Sequence, residues 1–209
     1  MALQQNAPRG FEAAGATLPT GQSQVRLTVT VPPRPRAELE EARVKVEGRA
    51  TIDGREVVRE AVAAEDMMQA FFYRHLVAAD GLTIAVRRGP ALPAPFRVAG
   101  PSIKLGAGGA ARVRVTTPLA RNSPIANLRY ELSEAPEGIS LQAVSSTTEG
   151  AELEVRCDAA KVKPGMKGNL IVEVSGERTA AAGNGRPAAN RQRVPLGTLP
   201  ALTYEVVEK

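Results

Sequence analysis

The chain has 209 residues, with 27 Lys and Arg against 22 Asp and Glu, enough for one large domain or two small ones with a real core. Hydrophobic residues at 43% and charged residues at 23% lie near the globular average, which excludes wholesale disorder, and no apolar run reaches the length of a membrane span. One Cys, one His and no Trp leave too few ligands for an intramolecular disulfide or a Cys/His zinc site.

In chain order, Met1 to Gly10 lacks both the basic start and the apolar centre of about 7–15 residues that an export signal needs. Alternation with period two then dominates. Val25, Leu27, Val29 and Val31 predict one strand, and Val44 with Val46 another, followed by the turn pair Asp53-Gly54. Residues 64–73 break this rhythm. They hold no Gly or Pro, open with Glu65 and Asp66, and group Met67, Met68, Phe71 and Phe72 at near-helical spacing, which predicts a short helical segment. The chain has 4 Phe and 3 Tyr, and Phe71, Phe72 and Tyr73 stand together here. They are expected to plug a core end or a junction, with an aromatic ligand-binding patch as the sharper reading.

Strand candidates resume at Phe96–Ala99, Arg112–Thr116 and Asn127–Glu131. Between the first two lies the run Gly106 to Gly109. It lacks the Lys-Ser/Thr ending of a phosphate loop, so a hairpin turn is expected. Ile139 and Leu141, then Leu153 and Val155, then Leu170, Val172 and Val174, then Leu202, Tyr204 and Val206 continue the alternation. Cys157 follows in phase with Val155 and reads as a small inward-facing hydrophobe rather than a reactive thiol. Residues 178–193 carry Arg178, Arg186, Arg191 and Arg193 without one acid, among Gly, Pro and Ala, and predict a solvated basic loop. No stacking aromatics are interleaved there, which argues against nucleic acid. Arg186, Arg191 and Arg193 stay as candidates for binding some other ligand.

The sequence also overlies itself. Residues 7–48 match 135–176 without a gap: Ala7-Pro8-Arg9-Gly10 lies over Ala135-Pro136-Glu137-Gly138, and Val44 to Gly48 over Val172 to Gly176. Residues 75–86 then match 195–206, which leaves an insertion in the first copy near the expected helical segment. Two domains follow: a partial unit over 1–88, resembling the C-terminal half of a domain whose opening strands are missing, and a complete unit over 89–209. A half-unit would leave an unpaired strand edge and an uncovered apolar face. Residues 1–88 are therefore expected to pair with the second unit, with another chain, or with nothing stable, the second of these being an oligomer formed through the first unit.

Candidate chemistry is sparse. His75 is the one group suited to general-base work near neutral pH, with Asp66 and Asp80 close in sequence. No nucleophile-elbow pattern surrounds any Ser, and Pro195 takes its place in the second copy. Glu38, Glu40 and Glu41, and then Glu131, Glu134 and Glu137, form acidic groups, but calcium sites favour several Asp at tight spacing. They read as solvated faces. No catalytic residue, metal or cofactor is expected.

Two phrases, Leu-Arg-Tyr-Glu-Leu-Ser-Glu-Ala-Pro-Glu-Gly-Ile-Ser-Leu (128–141) and Ala-Glu-Asp-Met-Met-Gln-Ala-Phe-Phe-Tyr-Arg-His-Leu-Val (64–77), resemble the immunoglobulin-like tandem modules of large secreted bacterial proteins, of the kind found beside pre-peptidase C-terminal domains. The resemblance implies an all-β fold of tandem β-sandwich units. It also implies a non-catalytic spacer or interaction unit within a longer exported or cell-envelope protein. The Cys pair and core Trp of antibody domains are missing, so only the sandwich architecture carries over. The expected partners are the rest of a parent protein or another envelope protein, with neither nucleic acid nor a membrane span involved. A glycan- or protein-binding accessory domain is the second reading, and a hydrolase built on His75 the third.

Overall fold

Alternating apolar residues need a partner sheet to bury one face, and that requirement shapes the chain from Phe96 onward. The computed structural model describes residues 2–6, 10–31, 41–69, 72–85, 96–119, 123–147, 149–179 and 191–208. In chain order the strands are β1 (Ala2–Asn6), β2 (Glu12–Ala14), β3 (Thr28–Thr30), β4 (Glu41–Ile52), β5 (Arg55–Glu60), β6 (Ala64–Gln69), β7 (Tyr73–Ala78), β8 (Leu82–Ala85), β9 (Arg97–Ala99), β10 (Ser102–Gly106), β11 (Ala110–Thr116), β12 (Ile125–Ser133), β13 (Ile139–Thr147), β14 (Gly150–Cys157), β15 (Lys167–Thr179), β16 (Arg191–Thr198) and β17 (Leu202–Val207). The protein is all-β, and the described residues contain no helix. No helix is therefore long and apolar enough to cross a membrane among them.

Two sheets build the main core. One runs β10-β17-β15-β12, with β16 also pairing β15, and the other runs β13-β14-β11-β9. Their inward residues form one buried cluster. Val113 and Val115 of β11, Leu153, Val155 and Cys157 of β14, Leu170, Val172 and Val174 of β15, and Leu202, Tyr204 and Val206 of β17 all belong to it. Between them stand Arg112, Arg114, Glu152 and Arg156, whose charges stay in water on the opposite face. Cys157 is buried as expected, its Sγ 3.1 Å from the carbonyl oxygen of Gly106. β10 lies parallel to β17, from Ser102 opposite Thr203 to Gly106 opposite Val207. The other pairs in both sheets are antiparallel.

The Gly106–Gly109 run is not a hairpin. It carries the chain from β10 in one sheet to β11 in the other, and its turn is closed by the Gly109 N–H donating to the Gly106 carbonyl at 2.7 Å. In β12 the register slips between Ala126 and Arg129, where Asn127 takes φ 50° and its amide donates to Glu177 at 2.8 Å. An Asn in the left-handed region fits such a bulge.

Upstream, β4 pairs with β1 along residues 45–49, with β5 along 47–52 and with β8 along 41–44. Asp53 at φ 50° and Gly54 at φ 74° form the two-residue turn between β4 and β5, the left-handed pair that the twist of a tight hairpin requires. This sheet is thinly covered. Val44 is buried, but Leu82 directly opposite it is 46% exposed. β2 and β3 form a separate two-stranded pair, so the strand expected over Val25–Val31 is confined to Thr28–Thr30.

Residues 64–73 are the clearest departure from expectation. In place of a helical segment they hold β6 and the start of β7, an antiparallel hairpin running from Ala64 opposite Ala78 to Gln69 opposite Tyr73.

Candidate interaction surface

The β6–β7 hairpin begins where β5 ends and returns at β8. At its base the Ala61 N–H donates to the Val46 carbonyl at 2.7 Å, the Ala79 N–H donates to the Ala63 carbonyl at 2.8 Å, and Arg43 holds Asp80 at 3.2 Å. Beyond that base it is a sheet of two strands only. Such a ribbon has no third strand or helix to take its apolar side chains.

Its register sorts the side chains onto two faces. Asp66 sits opposite Leu76 and Met68 opposite Arg74, so these four share one face. Glu65 opposite Val77 and Met67 opposite His75 make up the other. Asp66 and Arg74 lie diagonally across the first face and are paired at 3.2 Å. On this face Met68 is 59% exposed and Leu76 75%; Tyr73, opposite Gln69 and so on the other face, is 75% exposed, and Phe72, just ahead of β7, 89%. Scattered exposed apolar residues are ordinary, whereas a concentration of this kind on one ribbon makes it the candidate for a contact surface.

The structure corrects the expectation that these aromatics plug a core end or a junction, because Phe72 and Tyr73 both project into solvent. Phe71 lies outside the described residues. His75 is exposed on β7, and the two acids near it in sequence are each engaged by an arginine, Asp66 by Arg74 and Asp80 by Arg43. Among the described residues no three His, Cys, Asp or Glu side chains gather in a way that could hold a metal ion.

The basic stretch is divided by the fold. Arg178 and Arg193 stand on paired strands rather than in a loop, and Arg191 opposes Thr179 at the start of the β15–β16 ladder. Arg193 lies 3.8 Å from a carboxylate oxygen of Glu177 and 3.5 Å from the Ser175 hydroxyl. Of the three arginines retained as binding candidates, Arg186 alone lies between the two strands, outside the described residues.

One cluster had no signal in the sequence. The Asn169 side chain on β15 donates from Nδ2 to the carbonyls of Gly15 and Arg26, both at 2.7 Å, and accepts from the Thr203 hydroxyl at 3.2 Å. Nearby the Ala201 N–H donates to Thr28 Oγ1 at 2.8 Å, and Thr28 is buried. Arg26 donates to the Ser133 carbonyl at 2.8 Å and pairs with Glu134 at 3.2 Å. The Gln22 amide donates to the Lys167 carbonyl. Residues 15–28 thus form a strap over the outward side of β15 and β17. Gly15, at φ 75°, presses so close to Asn169 and Ala201 that a β-carbon there would collide with both. Compared with protein-family models, with curated proteins and with solved structures, the chain matches none of them.

Proposed function

We propose that the chain is a non-catalytic module of tandem immunoglobulin-like units, serving as a structural spacer and interaction unit within a larger exported or cell-envelope protein. The observation that carries this reading is the strand order of the main core. In immunoglobulin lettering β9, β11, β14 and β13 fall in the places of A, B, E and D, while β12, β15 and β17 fall in those of C, F and G. The tandem part draws support from β4, which bears β1, β5 and β8 as β15 bears β12, β16 and β17. Under this reading 89–209 is a whole unit and 1–88 a partial one. The hairpin occupies the insertion that sets the first copy apart. The exposed Phe72 and Tyr73 favour binding over mere spacing.

An antiserum raised against residues 96–208, applied to fractionated cells of the producing organism, tests the proposal. The epitope should appear in the envelope or the medium, on a polypeptide larger than 22.0 kDa. A free 22.0 kDa cytosolic species would overturn it.

A further inference from the structure

We propose that the Asp66–Met68–Arg74–Leu76 face of the β6–β7 hairpin is a self-association surface whose occupant is the same face of a second copy of this chain. The inference deepens the interaction-unit reading and rests on it. A two-fold contact must be self-complementary, because a residue i that meets residue j of the partner implies that j meets i, and only residues on the axis meet their own counterparts. This face meets that condition in an unusual way. Its four side chains stand at the corners of a small rectangle, with Met68 and Leu76 on one diagonal and the oppositely charged Asp66 and Arg74 on the other.

Turning a second ribbon over about the Met68–Leu76 diagonal leaves thioether on thioether and isobutyl on isobutyl. It exchanges the charged corners, so that Asp66 of each copy faces Arg74 of its partner. With strands about 4.8 Å apart and two residues spanning about 6.8 Å, that diagonal lies roughly 35° from the strand axis and the ribbons cross at roughly 70°. The ribbon lacks a covering layer, and a crossed copy supplies one by burying the two apolar corners. Asp66 and Arg74 are half or more exposed and already paired within one chain, so they need only lean outward to form the reciprocal pairs. A patch this small makes a weak, reversible dimer with a micromolar dissociation constant.

Sedimentation equilibrium on the full chain tests this. The wild type should move from 22.0 kDa towards twice that mass across the micromolar range. Met68→Ser with Leu76→Ser, which leaves the ion pair in place, should weaken the dimer by about tenfold or more. Asp66→Arg alone and Arg74→Asp alone should each be monomeric. An equimolar mixture of those two single variants should dimerise again, because a face with two basic corners then meets a face with two acidic ones, and both cross-chain contacts pair opposite charges. An ion pair confined to one chain cannot produce that recovery. Circular dichroism that matches the wild type establishes that each variant is folded. A monomeric wild type, a mixture that stays monomeric, or a Met68→Ser/Leu76→Ser variant that dimerises like the parent would each overturn the proposal. So would a wild type that stays monomeric while co-floating with phospholipid vesicles, since the occupant would then be lipid. None of these results touches the envelope location of the chain, which the antiserum decides separately.

Discussion

Replacing Asn169 by Ala should release the strap of residues 15–28 while leaving the two-sheet core folded. The substitution removes two amide-donated bonds of 2.7 Å, to Gly15 and Arg26, and one bond accepted from Thr203. A net hydrogen bond contributes about 1 kcal/mol, and a partly buried carbonyl left without its donor adds about 1 kcal/mol more, giving a loss of about 2–4 kcal/mol in docking. That corresponds to a roughly 30- to 700-fold increase in the undocked population. Native-state hydrogen exchange read residue by residue is the suitable assay, because local openings report separately from global unfolding. The Ala201 amide reports on the strap, since its acceptor is Thr28. Amides in the ladder between Val113 and Leu153 report on the core. The Asn169→Ala protein should exchange Ala201 faster by the factor above, with the Val113 and Leu153 amides close to wild type. Equal acceleration at all three positions would show that the strap and the core open as one, and no acceleration at Ala201 would show that Asn169 does not hold the strap. Either result refutes the reasoning.

Two other sites make sharp expectations. The Tyr130 hydroxyl is buried and has no hydrogen-bond partner among the described residues, and burial raises its pKa. Tyr130→Phe should therefore stabilise the protein by about 1–2 kcal/mol in urea denaturation, and a loss of stability would mean that the hydroxyl is bonded after all. Glu154 is hydrogen-bonded by Arg156, with Arg112 adding a weaker attraction, and together they hold its carboxyl below the ordinary value of 4.5 against the opposing effect of desolvation. Its contribution to stability is thus present above that ordinary value and is lost as pH falls through the lower, folded-state value. Glu154→Gln should be less stable than wild type at neutral pH, with the gap narrowing in acid. A constant gap across a pH series of denaturation curves would count against the pairing.

Much of the core was legible because water faces one side of each sheet. Val113 and Val115 alternate with Arg112 and Arg114, so burial and charge share one period there, whereas Glu154, between Leu153 and Val155, is itself buried and paired with Arg112 and Arg156. The hairpin is illegible for the opposite reason. Both its faces meet solvent and both carry apolar groups, so no single-sided alternation marks it, and Met, Gln and Ala favour helices when nothing else decides. At the glycine run the turn itself was evident, but turn residues do not reveal whether the strands they join pair with each other or part to different sheets. The strap was illegible because Asn169 and Gly15 are far apart in the chain, and a lone Asn inside an alternating strand looks like any solvent-facing residue.

The parallel pairing of β10 with β17 has a mechanical consequence. A pull that enters on the Phe96 side and leaves after Val207 drags these two strands lengthwise past each other in opposite directions. From Ser102–Thr203 to Gly106–Val207, every rung bears the tension together instead of peeling away in turn. A link in a stretched filament wired this way holds until the whole seam slips.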